Sequence, residues 1–153
     1  MGRIQIVNGD LLKAEETYLV HQVNCCGVMG KGLALQIRNK YPDVYRRYQS
    51  YCEEHRIKDL IGRVLLIPTD DGKVICNLFA QERYGNDKRY TDLVALRSCF
   101  QKLIKIVPVY EHIAMPYMIG CGNGGGDWQS VYGLIQNEFT KHDVALYLSL
   151  IHI

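Results

Sequence analysis

Val23-Asn24-Cys25-Cys26-Gly27-Val28-Met29-Gly30-Lys31-Gly32-Leu33-Ala34 is the stretch of this 153-residue chain that decides its fold. The apolar run Tyr18-Leu19-Val20-His21-Gln22-Val23 reads as a strand that feeds directly into the glycines. Leu33, Ala34, Ile37 and Tyr41 then share one helical face. The pattern recurs downstream. His112 to Met118 reads as a buried strand, followed by Gly120-Cys121-Gly122-Asn123-Gly124-Gly125-Gly126 and a helix with Trp128, Val131, Tyr132, Ile135 and Phe139 as its stripe. Glycine tolerates positive φ and lets a ligand approach bare backbone, so successive N–H groups can converge on one anion. The helix that follows adds unsatisfied N–H groups at its positive end. One such loop points to a phosphate; two in a chain this short point to a diphosphate held from both sides.

Working outward, Ile4-Gln5-Ile6-Val7 reads as a first strand, stopped by Asn8-Gly9-Asp10. Pro42-Asp43 opens a helix with Val44, Tyr48 and Cys52 as its stripe. Val64-Leu65-Leu66-Ile67 and Val74-Ile75-Cys76-Asn77-Leu78 flank Asp70-Asp71-Gly72 as a hairpin. The chain from Gln81 to Tyr90 is polar and irregular. Thr91 is expected to cap a helix with the stripe Leu93, Leu96, Phe100 and Leu103, and Asp127 to cap the next one. Val144 to Leu150 closes as a last strand. Alternating strands and helices with one hairpin predict an α/β protein, a three-layer α/β/α arrangement around a mixed sheet of about six strands. Ligands in such folds bind beyond the carboxyl ends of strands, where both glycine loops fall.

An apolar content of 48% with 22% charged residues fits one ordinary globular domain over residues 1–153. A net charge of +2 is too small to argue by itself for a nucleic-acid or membrane surface. No apolar run approaches the ~20 residues of a membrane span and the N-terminus lacks a signal-peptide pattern, so a cytoplasmic location is expected. The six cysteines form no C-x-x-C pair and no closely spaced His/Cys set. Reduced, packed thiols and no metal site follow. Gly30-Lys31-Gly32 lacks P-loop spacing and the hydroxyl that would hold magnesium. Gly120, Gly122 and Gly125 satisfy the dinucleotide pattern, but only one helix and one strand follow them. What remains is a diphosphate site of neither type.

Asn8-Gly9-Asp10-Leu11, the 23–34 stretch and Met115-Pro116-Tyr117-Met118-Ile119-Gly120-Cys121-Gly122 together resemble the macrodomain family. The resemblance covers almost the whole chain, in the same order and spacing. It is closest to the branch of terminal ADP-ribose protein glycohydrolases and DNA ADP-ribosyl glycohydrolase antitoxins. It implies ADP-ribose or an ADP-ribosylated substrate as partner, with no cofactor, no membrane partner, and nucleic acid only as a modified substrate.

It also implies roles. The Asp10 carboxylate accepts from the adenine amino group, with Leu11 supporting the base; the alternative for Asp10 is a turn aspartate. Asn24 lies by the distal ribose hydroxyls, or else satisfies backbone at a strand end. Gly27, Gly30 and Gly32 hold the distal phosphate and ribose, with Val28 and Met29 packed beside them. Lys31 either reaches the diphosphate or is solvated. Gly120, Cys121, Gly122, Asn123, Gly124, Gly125 and Gly126 form the opposite wall, with more glycine than a turn needs. Phe139 or a tyrosine either stacks on adenine or, for Phe139, packs in the core as its place in the helical stripe suggests, and His21 reads as a packed, hydrogen-bonded histidine. The catalytic lysine of the matching branch falls at Gln81, and an acid used by some members falls at Gly124. The carboxylate left near the second loop is Asp127, either a general base with Asn24 as the other catalytic candidate, or a helix cap. Glu82 is a weaker candidate. A hydrolase of ADP-ribose derivatives, among them ADP-ribose 1''-phosphate and O-acetyl-ADP-ribose, and a non-catalytic ADP-ribose-binding module both fit; a nucleotide-binding domain of other specificity ranks last.

Overall fold

Leu19 and Val20 are neighbours on one strand, yet each is buried in a different core. The same split separates Ile75 from Cys76 and Ala114 from Met115. Side chains alternate across a strand, so three neighbouring strands that are apolar on both faces require cover on both sides. The computed structural model, which describes residues 2–85, 87–122 and 124–149, supplies that cover. The chain runs β1 (Ile4–Asn8), a 3-10 turn (Leu11–Lys13), β2 (Tyr18–Asn24), α1 (Gly32–Lys40), α2 (Pro42–Glu53), the single-turn α3 (Ile57–Leu60), β3 (Val64–Pro68) and β4 (Val74–Gln81). It continues through α4 (Leu93–Ile106), β5 (Ile113–Pro116), α5 (Trp128–Glu138) and β6 (Val144–Leu148).

The six strands form one sheet in the order β1-β6-β5-β2-β4-β3. Among the named strands of the described residues the β3–β4 hairpin pairs antiparallel and the other strand pairings are parallel. Leu96, Phe100 and Leu103 of α4 and Val131 and Ile135 of α5 pack one face. Leu11 and Leu12 of the 3-10 turn, Ile37 of α1 and Val44 of α2 pack the other. Beside them, Tyr48 of α2 stacks on Phe79 of β4 with ring centroids 5.9 Å apart. Phe139 joins the α4–α5 core, edge-on to Phe100 at 5.0 Å. Among the described residues no helix is long and apolar enough to cross a membrane.

The boundaries of α4 and β5 differ from the sequence reading. Asp92, not Thr91, caps α4, its carboxylate accepting from the Ala95 N–H at 3.0 Å. Thr91 is buried and spends its hydroxyl on the Gly120 carbonyl at 2.6 Å, so a tertiary partner outcompetes the local cap. β5 is shorter than the 112–118 run: Pro116 brings no N–H, and Met118 at φ 63 turns the chain out of the sheet. Leu150, the expected end of the last strand, lies outside the described residues.

Candidate functional site

The carboxyl ends of all five parallel-paired strands open into one cavity of about 870 Å³, a size that suits a small ligand. Asp10 and Leu11 line it after β1, Gln22 to Asn24 at the end of β2, and Gln81, Tyr84 and Gly85 after β4. Pro116 to Gly122 and Gly124 enter after β5, and Leu148 and Ser149 after β6. Val28 and the start of α1, from Gly30 to Ala34, complete the wall. Of the residues read as ligand contacts, Asp10, Leu11, Asn24, Val28, Gly30, Lys31, Gly32, Gly120, Cys121, Gly122 and Gly124 lie on this wall.

The others stand behind it. Met29 is buried in the core with Val23 and Phe79. Gly27 is buried at φ 77 against α2, and Gly125 at φ 70 turns beside the Lys88–Arg89 backbone, so both are glycine for backbone shape. Gly126 closes the second loop through its N–H to the Gly120 carbonyl at 2.8 Å. Asn123 lies outside the described residues. Asp127, read as a possible base, is off the cavity wall: its carboxylate caps α5, accepting from the Ser130 hydroxyl at 2.7 Å and the Ser130 N–H at 3.1 Å. Those bonds hold its pKa below the ordinary carboxylate value. The capping role is the one realised.

Asn24 is on the wall, but its amide is the knot that folds the first loop. Its Nδ2 donates to the Val28 carbonyl at 2.8 Å, and its Oδ1 accepts from the Cys26 N–H at 2.9 Å and the Tyr48 hydroxyl at 2.8 Å. One amide N–H at most remains for a ligand. Tyr48 reaches this knot from the buried face of α2, its single hydroxyl hydrogen shared between Asn24 Oδ1 and the Asn24 carbonyl, 2.7 Å away. Tyr48→Phe keeps the ring packing and removes the donor, so a loss of about 1–2 kcal/mol is expected in urea unfolding. A variant as stable as the wild type would show that the hydroxyl does not hold the loop.

The glycine density of the second loop has a packing cause that the sequence does not show. A Cβ on Gly124 would stand 2.3 Å from Thr91 Oγ1 and 2.9 Å from Gln22 Nε2. One on Gly126 would stand 2.7 Å from the Gly120 carbonyl oxygen. Gln22 Nε2 donates to Thr91 Oγ1 and to Gln81 Oε1, each at 2.8 Å, and Gln81 Nε2 donates to the Arg83 carbonyl at 2.8 Å. Gln22 was not singled out by sequence reasoning. Its place two residues before Asn24 on β2 was the available signal, because alternate residues share a face.

Asp10 lines the cavity while its Oδ1 caps the 3-10 turn, accepting from the Leu12 N–H at 2.9 Å. Turn aspartate and ligand contact are therefore compatible, since a carboxylate has a second oxygen. Lys31 is exposed at the entry to α1 and lines the rim. All six cysteines are free thiols. Burial pushes Cys121, on the wall, up to about 11, which leaves it a protonated thiol and a poor nucleophile. Among the described residues no group of three or more His, Cys, Asp or Glu could hold a metal.

His21 is packed as expected, 2.6 Å from Asn77 Oδ1, and burial lowers its pKa to about 4. The folded state thus keeps His21 neutral where the unfolded chain, with an ordinary value of 6.5, takes up a proton. That stability is fully present above pH 6.5 and is lost as pH falls toward 4, by up to about 3 kcal/mol. His21→Gln is expected to flatten the pH dependence of urea unfolding between pH 7 and 4. An unchanged slope would place the proton uptake elsewhere.

A mixed sheet covered on both faces, with two glycine loops at a cavity beyond the strand ends, defines an α/β domain with a strand-end pocket. Residues 20–135 match the Macro domain family, and the chain belongs to it. A DNA ADP-ribosyl glycohydrolase of Mycobacterium tuberculosis is 33% identical over 137 residues, covering 88% of this chain and 38% of the relative. An ADP-ribose 1''-phosphate phosphatase of Saccharomyces cerevisiae is 32% identical over 90 residues, covering 56% of this chain and 50% of the relative. The structure of Thermosipho africanus DarTG in complex with ADP-ribose superposes with a TM-score of 0.80 at 26% identity, over 99% of this chain and 43% of that one. The chain thus spans about two fifths of the glycohydrolase it matches and half of the phosphatase.

Proposed function

We propose that the chain is a single macrodomain that binds ADP-ribose in the strand-end cavity and hydrolyses a derivative joined through C1'' of the distal ribose. ADP-ribosylated protein or DNA and ADP-ribose 1''-phosphate carry that linkage; O-acetyl-ADP-ribose, an ester of a ribose hydroxyl, does not. The observation that carries the reading is the pair of glycine-bearing walls, Gly30 to Gly32 on one side and Gly120, Gly122 and Gly124 on the other, facing one cavity with Asp10 on its wall. The relatives that act on ADP-ribose derivatives support it.

Water attacks C1'' while the bond to the leaving group breaks, and the developing oxocarbenium needs electrostatic stabilisation. The side chain at 81 is an amide, engaged at both ends, so it supplies no amine for an imine with the opened sugar. Hydrolysis here therefore proceeds by direct displacement, without an adduct at 81. Pre-organised loop amides carry the electrostatic share. The second reading, a binding module without turnover, is favoured by that same amide. The test is release of ADP-ribose from modified DNA or protein, or of phosphate from the 1''-phosphate, with borohydride present to trap any imine. Turnover without trapped protein is expected. No release from any of these substrates would leave the binding module, and a trapped adduct would overturn the direct route.

A further inference from the structure

We propose that Gln22, acting through Thr91, is the positioning residue that sets the second glycine loop against the diphosphate. This rests on the reading of the cavity as an ADP-ribose site. The hydrogen bonds run one way: Gln22 Nε2 donates to Thr91 Oγ1 at 2.8 Å, and the Thr91 hydroxyl donates to the Gly120 carbonyl at 2.6 Å. That carbonyl also accepts the Gly126 N–H at 2.8 Å, which closes the loop on itself. The Thr91 and Tyr90 N–H groups reach the Gly124 carbonyl at 3.0 and 2.8 Å, so both ends of the loop hang on this one segment. Thr91 has a single hydroxyl hydrogen and gives it to Gly120, so it can only accept from Gln22, and this fixes the orientation of the Gln22 amide.

The cost of that orientation is visible. Gln22 Oε1 is buried with no hydrogen-bond partner among the described residues. It stands where a Cβ on Gly120 would come within 2.8 Å, so only a bare Cα fits against it. A buried acceptor left unpaired is destabilising and persists where its neighbours over-determine it. Gln81 completes the device: its Oε1 takes the second hydrogen of the Gln22 amide, and its Nε2 pins the chain leaving β4 at Arg83. Gln81 thus acts on loop placement through Gln22.

Calorimetry on the full chain tests this with ADP-ribose and AMP as paired titrants. Thr91→Val, which keeps the volume and removes the hydroxyl, and Gln22→Met are each expected to weaken ADP-ribose about tenfold, the worth of about one hydrogen bond. AMP, which lacks the second phosphate and the distal ribose, is expected to lose far less. Thr91→Ser, which restores the hydroxyl, is expected to restore ADP-ribose affinity. If Thr91→Val does not fold, Gln22→Met carries the same comparison. Retained ADP-ribose affinity in the folded variants, or equal losses for both titrants, overturns the proposal. A wild-type chain that gives no ADP-ribose heat overturns the site reading beneath it.

Discussion

Gly124→Asp is expected to weaken ADP-ribose binding by at least about a hundredfold, the cost of overpacking the wall that receives the ligand. The first atom added is already in conflict, at 2.3 Å from Thr91 Oγ1 and 2.9 Å from both Gln22 Nε2 and the Gly120 carbonyl oxygen. Neither Thr91 nor the Gly120 backbone can retreat cheaply. Thr91 is buried, and its hydroxyl and N–H both bond to the loop itself. The carboxylate that follows would then meet carbonyl oxygens and hydroxyls already committed to other bonds. In this chain the space beside Gly124 is filled from β2 and from Thr91. The check is calorimetry beside a thermal melt, with Gly124→Ala as the smaller insult. A folded Gly124→Asp chain with wild-type affinity would mean that the loop has room the packing denies.

Phe100→Ala is expected to cost about 3–5 kcal/mol, the transfer free energy of the ring plus the cavity left behind. Phe100 is fully buried at the centre of the α4–α5 face, edge-on to Phe139 and in one core with Leu96, Leu103, Val131 and Ile135. Total stabilities of domains this size are about 5–15 kcal/mol, so the loss is a large share of the whole. Urea unfolding followed by circular dichroism measures it. A cost under about 1 kcal/mol would show that this face repacks and is not the tight core described.

The core was legible in the sequence because it is periodic. Leu96, Phe100 and Leu103 recur at helical spacing, and the runs in β2, β4 and β5 are apolar at consecutive positions, which is what a doubly covered sheet demands. The two glycine loops and Asp10 were legible for a different reason: close backbone approach leaves glycine, and strand ends leave turn residues. Thr91 was misplaced because capping is a local rule and its hydroxyl answers a partner 29 residues away. Gln22 and Gln81 were invisible as a pair for the same reason. Their bond joins neighbouring strands 59 residues apart in the chain, and no one-dimensional spacing encodes it. Part of the glycine density in the second loop likewise answers Thr91 and the Gly120 carbonyl, contacts that no local pattern of glycines displays.

The most direct measurement is isothermal titration of the wild-type chain with ADP-ribose, AMP and ATP. One-site ADP-ribose binding, tighter than AMP and at least about a hundredfold weaker in Gly124→Asp, is predicted. No heat with ADP-ribose, or a preference for ATP, would contradict the assignment of the cavity.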